Sequence, residues 1–259
     1  MIPLPLSLLF IFSNIQAQTI SRDADLGEGI ITVGWYGFPP NNTIPNDPAS
    51  ISPVPNICGL IYYQKKDKIL RKQQPDTSSD KARSATGTVD ANAGSYQIVV
   101  PMKFIVPTCL IDWTKKKAYT FRKKSDTLQV EEKELQKENS EILYRLADNN
   151  KTIITSQEKD NPVFIAGKKC FKGTARDKTG ENFTFYYSDA TPKIHSPLNG
   201  FLPADFPYNV MRADATTDWS MGDGTVGKGK MIFQVLEIKE CPLADSLFKI
   251  PDISQQNIH

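Results

Sequence analysis

NPVFIAGKKCFKGTARDKTGENFTFYYSDATPKIHSPLNGFL, residues 161–202, is the stretch from which the fold is read. Val163, Ile165 and Ala166 open an apolar run that continues through Cys170 and Phe171 to Thr174, which reads as one strand. Asp177-Lys178-Thr179-Gly180 follows with turn chemistry, since Gly180 tolerates the positive φ of a tight hairpin. Beyond it, Phe183, Phe185 and Tyr187 alternate with Thr184 and Tyr186, a period of two that sets three rings on one strand face. A Pro-rich crossing comes next. Such a face is either half of a core or the wall of an apolar cavity.

Working outward, residues 28–38 (EGIITVGWYGF) are rich in β-branched and aromatic side chains and read as a strand. Six prolines between 39 and 55 exclude regular structure there, so 39–56 reads as a mobile loop. Ile57 to Tyr63 pairs with Lys68 to Lys72 through the corner at Lys65-Lys66-Asp67, and polar residues 73–94 read as a second mobile loop. Tyr96 to Val106, interrupted by prolines, reads as an edge or bulged strand. Cys109 to Trp113 and Ala118 to Arg122 form a hairpin whose lysines read as a solvated tip rather than a phosphate site. Leu128 to Ala147 reads as a helix, with Leu135, Ile142 and Leu146 as one narrow apolar stripe. That stripe either covers a sheet or faces solvent. Met231 to Ile238 is a strand by its alternation.

Residues 1–17 are uncharged and carry an apolar run, Leu6 to Phe12, with Ala17 as the small residue at a cleavage point. They read as a secretory signal peptide, the run being too short to span a bilayer. Residues 18–259 then form a single β-rich domain. Hydrophobic residues at 39% and a formal net charge of +2 describe an ordinary globular chain without the clustered basic excess of a nucleic-acid binder. No other stretch is apolar for long enough to make an integral membrane segment.

Catalytic and metal motifs are sparse. Gly222 to Lys228 matches the first seven positions of a P-loop, but Gly229 stands where the metal-binding hydroxyl belongs and a strand follows, so a hairpin turn is the better reading. Asp214, Asp218 and Asp223 do not match the spacing of an EF-hand calcium loop. Two histidines, His195 and His259, leave an acid–base or zinc site resting almost wholly on His195. No catalytic residue, metal ligand or cofactor is assigned. The four cysteines of an exported chain form disulfides or remain buried thiols. A meander makes Cys170–Cys241 the expected pair, with Cys58–Cys109 as its complement.

IAGKKC, FTFYYSDATPK and SPLNGF, together with residues 108–121 (TCLIDWTKKKAYTF), 229–240 (GKMIFQVLEIKE) and 245–253 (DSLFKIPDI), resemble LolA-like secreted proteins of Bacteroidetes, including the GLPGLI group. The similarity covers roughly residues 95–253; Lys168 departs from it, standing where an aromatic is common. The resemblance implies the periplasmic lipoprotein-carrier fold: a strongly curved antiparallel sheet, or half-barrel, with one or two helices across its concave face. It implies a location in the periplasm or at the outer-membrane periphery, and a lipid or lipoprotein acyl chain as ligand. On that fold Tyr119, Phe121, Phe183, Phe185, Tyr187, Phe233 and Val235 converge beneath the helix carrying Leu135, Ile142 and Leu146. The expected function is non-catalytic carriage of an apolar ligand. The alternatives are an envelope structural or interaction protein with a packed core, and a carboxylate-based hydrolase.

Overall fold

Alternating apolar residues and short turns build eleven strands into one antiparallel sheet. The structure, a computed structural model, describes residues 27–75, 105–135, 152–220 and 225–251, apart from breaks at 41, 43, 46, 125–126, 178, 191 and 204. The strands are β1 (Glu28–Phe38), β2 (Cys58–Lys65), β3 (Lys68–Gln73), β4 (Thr108–Asp112), β5 (Lys117–Lys124), β6 (Thr127–Glu134), β7 (Ile153–Ile165), β8 (Lys168–Arg176), β9 (Asn182–Ser188), β10 (Asn209–Ser220) and β11 (Val226–Glu240). Their order is β6-β5-β4-β3-β2-β1-β11-β10-β9-β8-β7, with β6 and β7 as open edges. Every neighbour is consecutive in sequence except the central pair, where β1 meets β11.

Period-2 alternation sends each strand's residues to two faces. One carries Ile31 and Val33, Leu60 and Tyr62, Cys109 and Ile111, Phe185 and Tyr187, and Phe233 and Val235, all in a single buried cluster. The opposite face holds two smaller clusters. Leu70, Leu110 and Tyr119 pack there with Leu243 and Phe248 of the C-terminal segment, while Tyr36 and Ile232 pack with Ile51. Residues 39–56 are thus partly built into the structure: a 3-10 turn at Pro48–Ser50 is capped by Asp47, and Ile51 is buried.

Three expectations are corrected. No helix of seven or more residues occurs among the described residues, and the predicted helix begins instead as a strand. Leu128 and Val130 alternate with exposed Thr127, Gln129 and Glu131, and β6 pairs along its whole length with β5. Val130 lies opposite Phe121, so backbone pairing and the apolar contact prevail over the helix propensity of the glutamates. Second, the run from Val163 to Thr174 is two strands. Ala166 and Gly167 both have positive φ (48° and 72°), the pattern of a type I′ hairpin turn.

Third, the cysteine pairings fail because all four thiols are free. Strands β9 and β10 separate β8 from β11, so Cys170 and the end of β11 lie three strand spacings apart, roughly 14 Å. Cys170 and Cys241 also belong to clusters on opposite faces. Cys58 and Cys109 are held apart by β3. The signal peptide, residues 76–94 of the second loop, residues 96–104 of the expected edge strand, and Ile142 and Leu146 lie outside the described residues.

Candidate functional site

Segment 192–208, between β9 and β10, runs across the large apolar face. Ser196 caps a 3-10 turn, Pro197–Phe201, accepting a hydrogen bond from the Leu198 amide, and Pro197 begins that turn with its φ already fixed. A buried irregular segment must satisfy its backbone through side chains, and two asparagines do this. Asn209 donates to the Ile194 carbonyl (2.7 Å) and accepts from the Ser196 amide (2.9 Å). Asn199 donates to the Tyr208 carbonyl (3.1 Å) and accepts from the Val210 amide (2.8 Å). Between those two Asn209 contacts, Gln64 of β2 donates to the His195 carbonyl (2.8 Å), so the segment reaches from β9 to β2.

Its apolar side chains meet the aromatic wall. Phe206 stands edge-on to both Phe185 (5.7 Å, 85°) and Tyr187 (5.5 Å, 83°), and Tyr208 stacks on Tyr187 at 5.4 Å. Phe201 bridges Phe183 (6.3 Å) and Phe233 (5.2 Å). Leu198 and Leu202 are fully buried. Gly173 lies directly beneath the Phe185 ring; a Cβ there would sit 2.3 Å from its Cζ. Phe185, Tyr187 and Val235 have no solvent exposure.

Of the residues expected to converge, Phe183, Phe185, Tyr187, Phe233 and Val235 share one cluster. Leu135 packs against that cluster from the end of β6 rather than from a helix. Tyr119 and Phe121 face the other way, into the cluster closed by Leu243 and Phe248. Sequence reasoning missed the covering role of Ile194, Leu198, Leu202 and Phe206. The apolar residues among the prolines of 192–207 were the available signal.

Polar atoms inside the large face are few. The Tyr187 hydroxyl, the Gln64 carbonyl oxygen and the Trp113 indole nitrogen are buried with no hydrogen-bond partner among the described residues. Burial, then Tyr208 and Asp189, push the Tyr187 hydroxyl up from its ordinary value, so it remains a neutral donor. Burial likewise pushes the Cys58 and Cys170 thiols up to about 12 and raises Cys109, so none is a ready nucleophile at neutral pH.

The opposite face holds a buried ion pair. Arg212, 1% exposed, meets Asp214 through two contacts, Nε–Oδ1 at 2.6 Å and Nη2–Oδ2 at 2.8 Å. Its guanidinium also donates to Gln234 (3.3 Å) and lies over the Tyr186 ring (5.4 Å). Gln234 in turn donates to the Pro48 carbonyl (3.3 Å), which ties segment 48–50 to the sheet. Asp214 and Asp218 lie on β10, each paired with a basic side chain, and Asp223 lies outside the described residues. Among the described residues no group of three or more His, Cys, Asp or Glu side chains is placed to hold a metal ion. No family model and no curated protein matches the sequence.

Proposed function

We propose that this chain is an exported, non-catalytic binding protein of the cell envelope that takes an apolar ligand, such as a lipid acyl chain, on the large face of its sheet. An open sheet of more than about ten strands curls under its own twist, so the proposal includes a half-barrel whose concave side is this face. The periplasmic lipoprotein carriers, which the sequence from residue 95 onward resembles, offer the same arrangement.

The observation that carries the reading is the nature of the cover. Among the described residues the carbon-lined face is covered by segment 192–208, a proline-rich strap fastened around residues 194–196 by Asn209 and Gln64, rather than by a second sheet. A strap without a ladder of its own is displaced at less cost than a paired strand. The Tyr187 hydroxyl and Gln64 carbonyl beneath it, without a hydrogen-bond partner among the described residues, match what an amphiphile's polar atoms would meet. Each methylene buried there contributes about 0.8 kcal/mol, so a single chain supplies binding energy without any catalytic group.

Displacement of a fluorescent fatty acid tests this. The wild type binds, Phe206→Ala binds more tightly because the strap fills less of the wall, and Phe185→Asp binds weakly while retaining its far-UV circular dichroism. No binding by either the wild type or Phe206→Ala would assign the face to a packed structural core.

A further inference from the structure

The strand registers bring one set of turns to a single end of the sheet: Lys66–Asp67 between β2 and β3, Trp113–Lys116 between β4 and β5, and Ala166–Gly167 between β7 and β8. The last residues of β11 and the start of the strap reach the same end. Each tip is edged with lysine: Lys66 and Lys68, then Lys115, Lys116 and Lys117, then Lys168 and Lys169. Some of this charge is neutralised. Lys65 is held by Glu28 and Asp245, Lys115 lies 3.9 Å from Asp112, Lys117 is paired with Glu132, and Lys193 with Glu240 at 3.1 Å. Lys66, Lys116, Lys168 and Lys169 are exposed and enter no ion pair among the described residues. At the opposite end Lys228 is tied between Glu181 (3.4 Å) and Asp218 (2.7 Å), while Arg122 and Lys123 are exposed.

An apolar group stands on this rim. Phe164, 62% exposed, lies one residue from the Ala166–Gly167 turn and directly across from Lys169. An exposed ring at a hairpin tip, flanked by amines on flexible stems, suits a bilayer interface: the ring enters the headgroup layer and the amines reach phosphate.

We propose that this lysine rim docks the protein on an anionic lipid surface, with Phe164 as the inserting side chain and Lys66, Lys116, Lys168 and Lys169 facing the headgroups. Nucleic acid is the weaker fit. The turns of this end carry no arginine fork for phosphate, and the net charge of the chain is only +2. The docking does not rest on the ligand reading, because a protein with a packed interior would use the same rim.

Co-sedimentation with phosphatidylcholine vesicles, with and without phosphatidylglycerol, is the test. The wild type binds the anionic vesicles and releases in high salt. Each lysine near such a surface is worth about 1 kcal/mol, so Lys168→Ala/Lys169→Ala weakens partitioning roughly 30-fold. Phe164→Ala weakens it about tenfold or more without altering the salt dependence. Arg122→Ala/Lys123→Ala, at the opposite end, leaves it unchanged. These positions are exposed or half-buried, and circular dichroism verifies the fold. Binding to neither vesicle, equal binding to both, or equal loss from the opposite-end variant would overturn the proposal. Salt-sensitive binding to single-stranded DNA but not to vesicles would reassign the rim to nucleic acid.

Discussion

Arg212 shows how one residue decides whether a region is stable. Its guanidinium has almost no exposure, so its charge is tolerated only because Asp214, Gln234 and the Tyr186 ring surround it. Removing one partner strands the other. Arg212→Met should therefore cost about 3–5 kcal/mol, whereas the double variant Arg212→Met/Asp214→Val should recover most of that loss. Urea unfolding of the single and double variants measures both values. A double variant as unstable as the sum of its singles would show that the pair does not act as a unit. The buried hydroxyl of Tyr36 belongs to the same neighbourhood; burial pushes it up to about 12, against a smaller opposing effect of Arg212, and it donates to the Ser52 carbonyl at 2.7 Å.

The element scale is where the C-terminal segment is held. Glu28 at the start of β1 accepts the Leu243 amide, while Lys65 of β2 donates to the Leu243 carbonyl (2.6 Å) and reaches Asp245 (2.9 Å). These contacts position Leu243 and Phe248 over Leu70 and Tyr119. The Leu243 amide, then Lys65, holds Glu28 below its ordinary 4.5, and Lys65 holds Asp245 below 3.8, with Lys66 and Lys68 adding a little. Asp245 first, then Glu28, raises Lys65 above 10.5. Depressed carboxyls stabilise the fold above their ordinary values and lose that contribution as pH falls through the folded ones. A raised amine stabilises below 10.5 and loses its contribution as pH rises through its folded value. The Tm gap between wild type and Lys65→Met should thus be level in the neutral range, shrinking below about pH 4 and again above pH 10.5. A gap that persists unchanged into acid would remove the clamp. The clamp itself was not legible, because sequence does not show which of 29 acidic residues meets which base. The alternation of Phe183, Phe185 and Tyr187 was legible, since period 2 fixes a face whatever lies opposite. The helix reading failed because Glu131, Glu132 and Glu134 favour a helix only until β5 offers a pairing edge. The strap offered only apolar residues among prolines: it has no period, and its place is set by Asn199, Asn209 and Gln64 across the sheet.

At the scale of the whole molecule, the sheet consists of two meanders, β1–β6 and β7–β11, each contiguous in sequence and joined at one seam. Across that seam β1 pairs with β11 from Gly29↔Glu240 to Phe38↔Lys230, a separation of most of the chain. Trp35 meets Phe233 edge-on there, at 5.1 Å. A bulge at Leu236 of β11, opposite Thr32 and Val33, shifts the register and keeps Val235 and Ile238, three residues apart, on the large apolar face. The strap crosses the same seam, belonging to the second meander but fastened by Gln64 to the first, with Ile194 over Gly29. Neither half alone can pair the inner edge of β1 or β11, and the first half alone lacks the strap that covers its share of the apolar face. Such distant pairing also forms late, because loop closure must precede any reward from contact. Fragments 18–135 and 152–259, made separately, should therefore show weak near-UV circular dichroism and no cooperative melt. Mixed, they should recover both, with Val33→Asp in the first fragment abolishing recovery. Cooperative melting of each fragment alone, with no change on mixing, would mean that the seam joins two independent domains and that the eleven strands do not fold as one unit.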